Sequence, residues 1–139
     1  MSTVRAKRFE YAAAVDRAGR VSAEGGPPAA LGDEWSPEAL VLAGLARCTL
    51  KSLSYHARRD DRDVAGRAAA SGVVTRRDSD GRYAFVEIRC DLDVDLEPPS
   101  PGDELPALLV KAERDCFVSA SLTAPTLYRW RVNGEDVAS

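Results

Sequence analysis

The stretch Ser36–Arg59, SPEALVLAGLARCTLKSLSYHARR, decides the fold. Ser36 stands where a helix N-cap belongs, Pro37 occupies the first helical position and Glu38 lies in the first turn. Proline loses nothing there, because its missing N–H would have had no helical partner. The pattern predicts a helix to about Arg59, with Leu40, Val41, Gly44, Leu45, Cys48 and Leu53 on or near one stripe. Leu42, Ala43 and Ala46 make its first half apolar almost all round. Such a helix is normally covered on several sides, more than one small domain supplies, so a dimer interface is expected.

Working outward, the segment before it is a loop, GGPPAALGDEWS, whose glycines and prolines deny it helical continuation. Upstream again, KRFEYAAAVDRAGRVSAEGG alternates weakly between glycine punctuation and suits a small antiparallel hairpin or meander. Downstream, AGRAAASGVVTRRD and GRYAFVEIRCDLDVDLE read as two strands joined at DSDGR. The second alternates with period two: Val86, Ile88, Cys90, Leu92, Val94 and Leu96 on one face, Glu87, Arg89, Asp91, Asp93 and Asp95 on the other. A second helix is predicted from about Glu104 to Leu122, with Leu105, Leu108, Leu109, Ala112 and Cys116 along one stripe. Pro125 stops it, and TLYRWRV forms the last strand. The order predicts an α+β fold in one domain over residues 1–139, its two helices packed on curved antiparallel sheet.

Composition narrows the function. With 139 residues and 45% apolar content, the chain is long enough for one real core. The net charge is −3, and no basic stripe with interleaved aromatics supports nucleic-acid binding. The N-terminus carries charges throughout, and no apolar run approaches a spanning helix, so a cytoplasmic location with no membrane partner is expected. Three cysteines in a reducing compartment argue against a structural disulfide framework and leave room for a transient, reactive one. One histidine and widely spaced cysteines give no metal-ligand spacing, and no cofactor is implied.

Cys90, between Ile88 and Leu92 on the apolar face of its strand, reads as a small hydrophobe in the core. Cys48 and Cys116 lie on inward stripes of two helices, where pattern alone allows either core packing or a reactive pair. Reactivity needs more, because burial raises a thiol's pKa and a cation or hydrogen-bond donors must bring it down. His56 is expected to sit at the carbonyl end of the long helix, where a cation is favoured. Trp35 either staples the loop to the helix or lines a pocket mouth.

SPEALVLAGLARCTL, followed much later by RDCFVSASLTAP, resembles the OsmC/Ohr family of organic hydroperoxide reductases. Pro37, Glu38, Cys48, Cys116, Val118, Ser119 and Leu122 carry the resemblance, and the order of strands and helices agrees with it. The resemblance implies an intertwined homodimer that reduces organic hydroperoxides at a site near the subunit boundary. It implies Cys48 as the peroxidatic thiol, Cys116 as the resolving thiol, and an external dithiol as reductant. It also implies that Glu38 holds an arginine beside the reactive sulfur, for which Arg17 or Arg20 is the candidate, since no arginine occurs between Val21 and Ala46. Arg47 stands where the family usually has a small residue, and Phe117 where proline is common. Arg47, about 100° round the helix from its neighbour Cys48, is expected to be structural. Two other functions are compatible with the scaffold: a non-catalytic dimer binding a small apolar ligand or partner, and a disulfide-switched redox sensor.

Overall fold

The computed structural model describes residues 6–137. Its contacts divide the chain into two compact units, Met1–Ser36 and Pro37–Ser139. The first holds a hairpin, β1 (Ala13–Val15) antiparallel to β2 (Val21–Ala23). Asp16 makes its turn: the carboxylate accepts hydrogen bonds from the backbone N–H groups of Ala18 and Arg20, both at 2.9 Å. Gly19, at φ +80°, takes the left-handed position that the turn requires.

The second unit begins with α1 (Pro37–Arg59), the long helix expected from its N-terminal signals. Then come β3 (Asp63–Arg76), β4 (Tyr83–Glu97), α2 (Leu105–Arg114), α3 (Phe117–Ser121), β5 (Thr126–Val132) and β6 (Glu135–Val137). The four strands form one sheet in the order β3-β4-β5-β6. The α+β class is as expected. One pairing is not: β5 runs parallel to β4, so the sheet is mixed rather than antiparallel throughout. Parallel neighbours need a crossover connection rather than a tight turn, and α2 with α3 supplies it.

The buried stripe of α1 is Leu45, Ala46, Thr49, Leu53 and Ala57. It meets the inner face of β4, where Ile88, Cys90, Val94 and Leu96 are fully buried and Leu92 nearly so. Leu108, Leu109 and Ala112 of α2, with Trp130 and Val132 of β5, close this core. Val86 departs from the expected alternation. The register shifts from Val73↔Glu87 to Val74↔Phe85, so Val86 is unopposed and 40% exposed. A β-bulge of this kind adds one residue to one strand and reverses the facing beyond it. Phe85 turns inward in its place and packs beside Ile88 and Cys116. Gly72 leaves room for that ring, since a Cβ there would lie 2.9 Å from it.

The predicted helix over Glu104–Leu122 is broken. α2 ends at Arg114, Asp115 leaves helical geometry at φ −95°, ψ 14°, and Cys116 is extended at φ −77°, ψ 110° before α3 starts. The apolar spacing of the stripe continues through the break, which is why periodicity alone does not reveal it. Asp115 is a poor helix former whose short carboxylate takes outside partners, and the Cys116 N–H closes a tighter contact to the Glu113 carbonyl at 3.4 Å.

Candidate functional site

The break in the crossover helix brings the two helical cysteines together. Cys48 is half-buried on α1, and Cys116 is fully buried where α3 begins. Burial pushes the Cys48 thiol up. The backbone N–H groups of Val118 and Phe117 pull it down, and hydrogen bonding with the Cys116 thiol raises it again. The balance is upward, and no cation stands among these influences. Amides at the head of α3 therefore partly offset burial without overcoming it.

Around Cys116 lies a group of hydroxyls that the sequence reading missed. Thr49 is completely buried on the α1 stripe, one turn from both Leu45 and Leu53. Its Oγ1 lies 3.0 Å from the Leu45 carbonyl, 3.5 Å from Cys116 Sγ and 3.5 Å from the Tyr128 hydroxyl. Ser119 Oγ lies 3.2 Å from Thr126 Oγ1 and interacts with the Tyr128 phenol as well. Burial pushes that phenol up, while Ser119 and Thr49 draw it back. A polar residue in the middle of a fully apolar stripe is the signal that points to Thr49; Tyr128 carries no comparable local signal.

Cys90 lies where expected. It has no exposed surface, and burial pushes its thiol up to about 11. Glu38 is exposed in the first turn of α1. One unbroken helix separates it from Cys48 by ten residues, about 15 Å along the axis. The carboxylate therefore reaches the sulfur only through a bridging group. Arg17 and Arg20 belong to the other unit, where Arg17 is exposed and Arg20 donates from Nε to Asp16 Oδ2 at 2.9 Å. Arg47 is exposed, turned away from the buried stripe as its 100° offset requires. Phe117 is 53% exposed.

His56 lies in the last turn of α1, as expected, and there its Nε2 is 2.7 Å from Asp115 Oδ2, with the side chain only 13% exposed. The same carboxylate accepts from Arg114 Nε at 3.0 Å. These partners hold the Asp115 carboxyl below the usual range, Arg114 with the larger effect. Among the described residues, no three histidine, cysteine or acidic side chains are placed to hold a metal ion. Nor is any helix among them long and apolar enough to cross a membrane.

The family model described as OsmC-like protein matches residues 30–129. That span includes both helical cysteines and most of the sheet, and the chain belongs to this family. An OsmC-like protein from Mycoplasma pneumoniae superimposes with a TM-score of 0.67 at 16% identity, covering 91% of this chain and 97% of that one. The organic hydroperoxide resistance protein OhrB of Bacillus subtilis gives 0.56 at 18% identity, over 90% and 98% of the two chains. An OsmC-like protein of unknown function from Vibrio cholerae gives 0.68 at 16%, over 88% and 99%. At these identities the likeness is one of fold. No curated protein sequence matches the chain.

Proposed function

We propose that this member of the OsmC-like family is a cysteine peroxidase that reduces organic hydroperoxides to alcohols. The observation that carries this reading is the contact between a half-buried Cys48 and a fully buried Cys116 at the head of α3. A peroxidatic thiol needs solvent access, and a resolving thiol must reach its sulfenic acid before a second oxidation. The name of the Bacillus relative points the same way.

In this reading the Cys48 thiolate attacks the terminal peroxide oxygen. The O–O bond breaks, the alkoxide takes up a proton to leave as the alcohol, and Cys48 becomes a sulfenic acid. The Cys116 thiol then displaces water from that sulfur to form a disulfide. An external dithiol reduces it by two exchange steps, its own sulfurs ending oxidised. A homodimer formed over the apolar first half of α1 encloses the tail of an alkyl peroxide, and burial of that tail favours it over hydrogen peroxide. Leu40 and Val41, exposed at 42% and 37%, are the surface such a partner would cover. Arg17, or Arg20 released from Asp16, supplies the cation that Cys48 lacks, held by Glu38. The thiols work in a reducing, cytoplasmic setting.

The upward-shifted Cys48 thiol favours one rival, a non-catalytic dimer that binds an apolar ligand or partner on the same scaffold. Peptide mass spectrometry of reduced protein after one equivalent of cumene hydroperoxide separates the two. The peroxidase reading expects rapid loss of two hydrogens, mapped to a Cys48–Cys116 disulfide. Unchanged thiols after minutes of exposure would remove it in favour of the binding scaffold.

A further inference from the structure

On α1, Cys48, Ser52 and His56 recur every fourth residue, so they share one side of the helix. That side meets the break between α2 and α3. Cys48 contacts Cys116 and the amides after it, and His56 bonds Asp115, the residue immediately before Cys116. Ser52, one turn from each, has a buried hydroxyl with no hydrogen-bond partner among the described residues. The segment from Glu113 to Cys116 is thus tied at three points. Trp130 Nε1 donates to Glu113 Oε2 at 3.0 Å, His56 meets Asp115 at 2.7 Å, and Thr49 approaches Cys116 Sγ at 3.5 Å. Only the His56–Asp115 tie joins the broken turn to α1 through a short contact with a carboxylate, the strongest class of these contacts.

We infer that His56 is a positioning residue for the resolving thiol: through Asp115 it holds the α2–α3 turn against α1, so that Cys116 stays within reach of Cys48. The inference rests on the reading of Cys48 and Cys116 as a redox pair. The thiol stands on a turn of two residues out of helical geometry, Asp115 and Cys116. Backbone bonds from the Asp115 and Cys116 N–H groups to Lys111 and Glu113 tie this turn to α2, so what holds it against α1 is its packing and the side-chain ties. Loosening it lowers the effective concentration of one sulfur at the other, while leaving the approach of peroxide to Cys48 untouched.

Two measurements on the full chain test this. The first is the equilibrium of the Cys48–Cys116 disulfide in glutathione redox buffers. The second is the partition of Cys48 between disulfide and sulfinic acid under excess cumene hydroperoxide. His56→Phe keeps a ring beside Tyr55 and loses the hydrogen bond; it is expected to lower the disulfide equilibrium about tenfold and shift the partition toward sulfinic acid. His56→Gln, which keeps an N–H donor near the Nε2 position, is expected to recover most of both. The rate of the first oxidation stays the same in all three proteins. Asp115→Ala, on a partly exposed turn, serves as the second variant: it should reproduce His56→Phe, and the double variant should be no worse than either alone. An unchanged disulfide equilibrium in folded His56→Phe and Asp115→Ala would overturn the inference, as would a Gln variant no better than Phe. A wild-type chain that ignores the hydroperoxide yet forms the disulfide in a His56-dependent way would sink the peroxidase reading and uphold the positioning role. No Cys48–Cys116 disulfide under either condition would end both.

Discussion

Cys90 and Cys48 are the same residue type in two settings, one in the middle of a strand and one beside a helix break. Cys90 is sealed among Leu53, Leu92 and Val94 and has no exposed surface. Burial dominates its chemistry and drives its thiol to about 11. Cys48 is also penalised by burial, but it keeps part of its surface exposed, and two backbone N–H groups and a second thiol face it. Regular secondary structure uses up its own amides; a break releases them. The difference shows that a helix break offers free amides to a neighbouring thiol, as the regular sheet around Cys90 does not.

The comparison can be broken outright by serine substitution. Cys48→Ser is expected to reduce hydroperoxide consumption to the uncatalysed rate, measured as loss of cumene hydroperoxide. Equal loss in folded Cys90→Ser would erase the distinction. Cys116→Ser should allow a single oxidation and then accumulate sulfinic acid on Cys48, seen as a gain of two oxygens in the peptide mass. A Cys116→Ser protein that keeps cycling would show that another thiol resolves the intermediate.

Titration sharpens the comparison. With its thiol raised above the usual range, Cys48 is expected to react with iodoacetamide at a rate still climbing beyond pH 9, since the thiolate is the reacting form. A plateau below pH 8 would show that a cation, such as Arg17, reaches the sulfur. Cys90 should be alkylated only in unfolded protein.

The smallest effect concerns stability. In the folded chain the Cys90 proton is held to about 11, whereas an unperturbed thiol loses its proton near 9.0. Between these values the unfolded chain binds fewer protons, so the contribution of the neutral buried thiol is complete below pH 9 and is lost as pH rises toward 11. Cys90→Ala should cost about 1 kcal/mol at pH 7 and flatten that alkaline decline, read as urea midpoints across the range. A wild-type midpoint that stays level from pH 9 to 11 would contradict the assignment.

Much of this molecule was readable along the chain. Ser36, Pro37 and Glu38 announced α1, alternation from Ile88 to Leu96 announced the buried face of β4, and the spaced motifs around Cys48 and Cys116 announced the family. These features are local, set by capping and by the periods of helix and strand, and they need no partner from elsewhere. The bulge at Val86, the parallel β4–β5 pairing and the break at Asp115 were not readable, because each is settled by competition between a segment's own pattern and the surface it meets. The same holds for the ties around Cys116. His56 finds Asp115 across 59 residues, Thr49 finds Cys116 across 67 and Tyr128 across 79. The sequence alone determined the long helix, the long strands and which thiols were candidates; the split of the second helix and the strand β6 after Val132 were not read from it. Tertiary structure decided which side chains meet, because a short polar contact depends on the angle at which two separately formed elements are packed, and no periodicity within either records that angle.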